Sequence, residues 1–202
     1  LAQLLLNEHP EAYGAVVLSG TALRMPGSLN AGSLNAPWKG ADATGLEWLS
    51  RDAAVGQAFH DDPLTTETPL LKLFGPLEAA KLFGRPRRNL GHDVPVLIMV
   101  GREDPVGGAL SAHKLAKAYR ERSGLGDVTT LVYPGARHEI FNELSQAETR
   151  ADLLAWLQAR FAERVWAHAE GPGKRACAAS RGLLASCRLA VLLDQHGQRR
   201  GD

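Results

Sequence analysis

The sequence predicts an α/β fold built on a parallel sheet. Three short, continuous apolar runs have the length and composition of buried strands: residues 15–18, 94–100 and 128–133. Amphipathic segments with helical spacing follow the second and third runs, over residues 109–122 and 144–166. Strands that alternate with helices in this order form βαβ units, in which helices cover both faces of parallel strands.

The predicted elements end at residue types that favour termination. Residues 1–9 carry leucines at helical spacing, and Pro10 ends this predicted helix. Gly20 closes the first apolar run and Gly101 closes the second. The third run stops at Pro134, which a glycine follows. These signals separate the strands from the loops at their carboxyl ends.

More than seventy residues separate the first two strands, whereas an α/β connection outside its helix usually takes ~2–6. This interval, residues 21–90, contains amphipathic pieces over 46–59 and 70–83 and several aromatic residues, and it predicts an inserted helical cap. A direct repeat of Gly-Ser-Leu-Asn-Ala fills residues 27–36. No basic residue or strand–helix context supports a phosphate-binding loop there, so a flexible edge is favoured.

Composition excludes several classes of protein. The chain has 202 residues, 45% of them hydrophobic, and a net charge of +1, which is typical of a globular domain and not of a nucleic-acid-binding one. We expect four regions: core elements over 1–20, the cap over 21–90, further core over 91–166, and a basic tail over 167–202. The tail is expected to be linker or disorder, although an apolar helix over 183–193 is an alternative.

Two loops at the carboxyl ends of predicted strands carry the residues of interest. Asp104 lies in the loop after the second strand, and His138 lies in the loop after the third. Open α/β sheets bind their ligands at this edge, so the two side chains can meet above the sheet. Asp104 would then orient the imidazole of His138, whose other ring nitrogen would act as a general base.

Less specific interpretations exist for each of these residues. Asp104 can cap a helix or close a surface turn, and His138 can be satisfied by backbone groups. The remaining candidate histidines, His9, His60, His92 and His113, have no matching loop or spacing. Neither metal-ligand spacing nor paired-cysteine spacing occurs, so we expect no metal site, and free thiols are expected at Cys177 and Cys187.

The order of acid and histidine matches the second half of a Ser…Asp…His triad. The stretches GREDPVGG and YPGARHEIFNE, with the helix containing ADLLAWL, resemble the C-terminal half of bacterial monoacylglycerol lipases and lysophospholipases. These enzymes are α/β-hydrolases grouped with the serine aminopeptidases. The resemblance covers residues 1 to about 163. It implies that Asp104 and His138 are catalytic.

One part of that family's pattern is missing from this sequence. No Gly-x-Ser-x-Gly pentapeptide, the elbow that presents the nucleophile, occurs anywhere in the chain. The resemblance places the elbow a few residues upstream of Leu1. We therefore expect a C-terminal piece of a longer serine hydrolase that is inactive by itself. The alternative is a non-catalytic fragment that binds a partner or lipid without hydrolysing it.

The resemblance also implies a substrate class. A monoacylglycerol or a lysophospholipid-like ester would be hydrolysed, with its acyl chain accepted by the cap. Neither a cofactor nor nucleic acid is implied. No transmembrane segment is expected, and the predicted location is cytoplasmic or peripheral to a membrane.

Overall fold

The protein forms a four-stranded parallel sheet with helices on both faces. The computed structural model describes residues 1–25, 33–66, 68, 70–81, 83–167 and 189–193. In chain order the elements are α1 (Ala2–Glu8), β1 (Ala15–Ser19), α2 (Ala53–Asp61), α3 (Leu70–Ala80), β2 (Val96–Gly101), α4 (Gly108–Glu121), β3 (Val128–Tyr133), α5 (Gln146–Ala167) and β4 (Leu189–Leu193). The strand order is β3-β2-β1-β4, and the predicted α/β class is confirmed.

The sheet is buried because its strands are apolar on both faces. All residues of β1 and β2 are buried. Alternate residues serve two separate cores. Val16, Leu18 and Ile98 pack toward α4, whereas Val17 and Leu97 share a core with side chains of α5. This arrangement explains why both strands read as continuous apolar runs and not as alternating ones.

Helix α4 connects β2 to β3 and packs on one face of the sheet. Its buried side chains include Leu115 and Tyr119, and burial raises the pKa of the Tyr119 phenol well above its usual value. Helix α5 covers the other face, where Trp156 is buried and donates to the Thr129 hydroxyl at 3.1 Å. The crossover through α4 leaves β2 and β3 parallel, with Val96 opposite Val128.

The segment between β1 and β2 contains the predicted helical pieces. The first is shorter than its pattern suggests: α2 begins after Asp52, whose carboxylate accepts from the Ala54 N–H at 3.0 Å and caps the helix. The second, α3, is kinked at Gly75, where φ is +77°, and Pro76 follows. The function of residues 21–90 as a cap stays a prediction. Part of the predicted repeat, residues 27–32, lies outside the described residues.

Five residues of the tail form a strand. β4 pairs with the edge of β1 that β2 leaves unpaired, with Ala15 opposite Leu189. The helix considered over 183–193 is therefore wrong for 189–193. A short apolar run fits either element, and the unpaired groups of β1 offer it backbone partners. The rest of the tail, including Cys177 and Cys187, lies outside the described residues.

None of the helices in the described part of the chain is both long enough and apolar enough to cross a membrane.

Candidate active site

Asp104 lies in the turn that connects β2 to α4, and its side chain is fully buried. Its backbone N–H donates to the Gly101 carbonyl at 3.2 Å, which keeps the turn tight. One carboxylate oxygen, Oδ1, accepts from the Val106 N–H at 2.9 Å. This bond fixes the carboxylate and leaves its second oxygen, Oδ2, directed toward the neighbouring loop.

His138 lies in the loop that follows β3 and reaches that second oxygen. The distance from His138 Nδ1 to Asp104 Oδ2 is 3.1 Å, and the imidazole is 12% exposed. An ionised carboxylate can only accept, so the contact requires a proton on Nδ1. In the neutral imidazole this leaves Nε2 as the basic nitrogen. The structure thus brings together the two residues that the sequence singled out.

Backbone contacts hold the two loops against each other. The Arg102 N–H donates to the Tyr133 carbonyl and the Glu103 N–H donates to the Ala136 carbonyl, each at 2.9 Å. Gly101 permits this approach: a Cβ there would lie only 2.0 Å from the Arg137 carbonyl oxygen. The end of β2 therefore sits so close to the histidine loop that only glycine fits.

A second glycine lies against the imidazole. Gly20 follows β1 with φ at +56°, and a Cβ there would lie 3.0 Å from both the His138 Cε1 and the His138 carbonyl oxygen. Its N–H donates to the Met99 carbonyl at 3.0 Å. Three strand ends thus converge on His138. The sequence marked Gly20 only as the end of a strand and gave no sign of this contact.

A short stretch of the inserted region also contacts His138. We name residues 47–51 the anchor segment. The Trp48 carbonyl accepts from the His138 N–H at 3.3 Å, and the Leu49 carbonyl accepts from the Glu139 N–H at 2.8 Å. The indole of Trp48 lies over the imidazole, with ring centroids 5.1 Å apart and planes tilted by 42°. Trp48 is one of the aromatic residues in the interval that predicts a cap, and no pattern in the sequence indicates its contact with His138.

Arg137 extends the same contact. Its guanidinium donates to the Glu47 carbonyl at 2.5 Å and to the Ser50 carbonyl at 2.9 Å, and it lies 4.4 Å from the ring centroid of Trp38. Burial lowers the pKa of Arg137 from its usual value, and the neighbouring charge of Glu143 opposes this effect. Arg137 thus packs against the anchor segment and Trp38.

Two of the other candidate histidines contact acidic residues outside this site. His9 and His60 are exposed and face Glu11 and Asp61, at 3.8 Å and 3.4 Å. Within the described ranges, no group of three or more His, Cys, Asp or Glu side chains is arranged to hold a metal ion.

Comparison with known proteins identifies the fold and the family. Residues 1–145 match the family described as serine aminopeptidase, S33. The chain belongs to this family. It is an α/β-hydrolase of the type that includes monoacylglycerol lipases.

One curated relative matches most of this chain. A monoacylglycerol lipase of Mycolicibacterium smegmatis is 29% identical over 163 residues, which cover 74% of this chain and 55% of the relative. The chain therefore spans about half the length of that protein.

Two solved structures are similar in fold. The monoacylglycerol lipase of Paleococcus ferrophilus superposes with a TM-score of 0.52 at 21% identity, over 78% of this chain and 63% of that one. A thermostable carboxyl esterase from Bacillus coagulans gives a TM-score of 0.58 at 19% identity, over 78% and 60% of the two chains. Both are longer than this chain, and at these identities they support the fold alone.

Proposed function

We propose that this chain supplies the acid and the base of a serine ester hydrolase whose nucleophile lies in a preceding segment. The observation that carries the proposal is the 3.1 Å contact between His138 Nδ1 and Asp104 Oδ2 at the carboxyl ends of β2 and β3. Membership of the S33 family supports it. The serine is assigned to a preceding segment because no Gly-x-Ser-x-Gly elbow occurs in the 202 residues.

The proposed reaction is acyl transfer to the serine and then to water. His138 Nε2 takes the serine proton as the serine oxygen attacks the ester carbonyl. The imidazolium returns that proton to the leaving alcohol, and an acyl-enzyme remains. His138 then takes a proton from water, whose oxygen attacks the acyl carbon. The imidazolium returns this proton to the serine oxygen as the bond between serine and the acyl group breaks, and the carboxylic acid leaves. Asp104 holds the imidazole and stabilises its positive charge in both steps.

The substrate proposed is a monoacylglycerol or a similar lipid ester. Support comes from the name of the Mycolicibacterium relative and from the inserted region above the site. In this region the indole of Trp48 lies over the imidazole of His138, and several other apolar side chains are exposed to solvent. Residues 21–90 would act as the cap that accepts the acyl chain.

We further propose that the cap contacts a lipid surface. Leu73, Phe74 and Leu77 on α3 are 48%, 56% and 82% exposed, and Phe83 beyond the helix is 50% exposed. Basic residues lie close to these apolar residues in the sequence: Lys72, Lys81, Arg85, Arg87 and Arg88. Apolar side chains beside positive charge favour an anionic lipid surface.

The proposed function is tested by extending the chain upstream. The coding DNA before the Leu1 codon is read, and the in-frame product is assayed for release of fatty acid from a monoacylglycerol. We expect a Gly-x-Ser-x-Gly elbow and activity that His138→Ala abolishes, whereas the 202-residue chain alone is inactive. His9→Ala, at an exposed histidine outside the proposed cap, is the matched control and should leave activity unchanged. Activity retained in His138→Ala would contradict the assignment.

The alternative outcome is a stop codon or an unrelated frame upstream of Leu1. The chain would then be a non-catalytic remnant, and binding of lipid without hydrolysis would be its remaining function. A direct lipid-binding measurement on the 202-residue chain would test that reading.

A further inference from the structure

Near the base, the chain buries a carboxylate that the proposed reaction does not use. Glu143 lies between the short 3-10 turn Ile140–Asn142 and α5, and its side chain is 0% exposed. Burial of a carboxylate is unfavourable unless the group is both paired and hydrogen-bonded. Glu143 therefore needs a set of partners that offsets this cost.

Four donors supply those partners. Glu143 Oε1 accepts from the backbone N–H of Arg137 at 2.8 Å and from that of Arg51 at 3.1 Å. Oε2 accepts from Arg51 Nε at 2.9 Å and from the Leu144 N–H at 3.1 Å. Arg51, which is 33% exposed, provides the compensating charge. Both oxygens are thus saturated, and the carboxylate is held in one orientation.

These bonds join two parts of the chain that both contact the base. Arg137 directly precedes His138, and Arg51 ends the anchor segment, whose Trp48 carbonyl and indole contact His138. Ser50 adds a bond from its hydroxyl to the Asn142 carbonyl at 3.0 Å. His138 is therefore held between Asp104 on one side and the anchor segment on the other. Glu143 links the backbone before His138 to that segment.

We propose that Glu143 is a positioning residue for His138. Its carboxylate fixes the Arg137 peptide against the anchor segment, so that the imidazole keeps its hydrogen bond to Asp104. The inserted region is thereby coupled to the base through this buried group, in addition to the direct contacts of the anchor segment with His138. This inference rests on the proposed function of His138 as general base, which Glu143 serves without touching substrate.

The test measures the His138–Asp104 hydrogen bond directly and needs no hydrolysis. An imidazole N–H bound to a carboxylate gives a far-downfield proton NMR signal, which exchanges with water when the bond opens. We expect this signal in the 202-residue chain, assigned by its loss in His138→Gln. In Glu143→Gln we expect the proton to exchange about tenfold faster or more, as loss of a buried charge-assisted hydrogen bond predicts.

A neighbouring acid provides the control. Glu139 follows His138 directly and is 8% exposed, and its Oε2 accepts from the Asn142 side chain at 2.8 Å. Glu139→Gln removes the same charge at a similar place and should leave the exchange rate within about twofold of wild type, because this bond does not reach the anchor segment. If Glu143→Gln does not fold, Arg51→Gln replaces it, and faster exchange is again expected.

Two results would overturn the proposal. The first is a Glu143→Gln or Arg51→Gln chain that melts at a lower temperature but keeps the wild-type exchange rate, since Glu143 would then only stabilise the fold. The second is a wild-type chain without the downfield signal. A negative hydrolysis assay of the upstream-extended protein, with this signal intact, would instead contradict the proposed function alone.

Discussion

At the scale of single residues, the approach of the two site loops depends on Gly101. A Cβ at this position would lie 2.0 Å from the Arg137 carbonyl oxygen and 2.3 Å from that of Ala136. Both atoms belong to the backbone, so no side-chain rotation can relieve the contact. The loop that carries His138 would have to move away from β2.

We expect Gly101→Ala to lower the free energy of unfolding by about 2–4 kcal/mol. The measurement is urea-induced unfolding followed by tryptophan fluorescence. Gly40→Ala is the control, because no atom lies within 4 Å of a Cβ at Gly40, and it should change stability by less than about 0.5 kcal/mol. Equal stability of the two variants would contradict the close contact.

The sequence identifies Asp104 and His138 as candidate site residues but not Glu143 or Trp48, and the difference has a physical reason. Asp104 and His138 follow strands directly, and the edge of a parallel sheet brings such residues together whatever the loops contain. Glu143 and Trp48 have no such signal. Glu143 contacts Arg51, which lies 92 residues away in the sequence, and Trp48 contacts His138, which lies 90 residues away. Both contacts depend on where the inserted region folds back. The catalytic roles of Asp104 and His138 and the positioning role of Glu143 stay predictions.

At the scale of elements, the strands are the best predicted part of the chain. Buried parallel strands need apolar residues on both faces, so β1 and β2 are visible as uninterrupted runs. β3, at the edge of the sheet, contains two threonines and is buried only at its ends. The inserted helices are less visible: Asp52 starts α2 later than the apolar pattern suggests, and Gly75 kinks α3. β4 shows that a short apolar run takes its structure from the available partner.

The turn before the anchor segment depends on an ionised side chain. Glu47 accepts from the Thr44 N–H at 2.7 Å, from the Gly45 N–H at 3.1 Å and from the Asn35 amide at 2.5 Å. Burial raises the pKa of Glu47, but the hydrogen bonds from Thr44, the backbone and Asn35 outweigh it. They lower the pKa from 4.5 to about 2.

This shift predicts the pH dependence of stability. Because the folded pKa is below the unfolded one, the stabilisation is fully present above pH 4.5 and is lost as the pH falls to about 2. The melting temperatures of wild type and Glu47→Gln should therefore differ most above pH 4.5 and converge near pH 2. Asp42→Asn, at an exposed residue of the same region, should leave the melting temperature unchanged. A constant difference between wild type and Glu47→Gln across this range would contradict the prediction.

At the scale of the whole molecule, the exposed side chains of α3 predict association with a lipid surface. The chain should co-sediment with vesicles of anionic phospholipid. Added salt should weaken this binding because basic residues contribute to it. The double variant Phe74→Ser, Leu77→Ser should bind at least about tenfold more weakly. Leu110→Ser is the control, since Leu110 is 69% exposed on α4. Equal loss of binding in the control would contradict the role of α3.

Asp104 and His138 lie at the carboxyl ends of β2 and β3. The central claim is that they activate a serine from a preceding segment. A fluorophosphonate probe, which reacts covalently with an activated serine, measures this most directly. We expect the upstream-extended protein to be labelled, and labelling to fall by about three to four orders of magnitude in His138→Gln and in Asp104→Asn. Labelling of His138→Gln at the wild-type rate would contradict the claim.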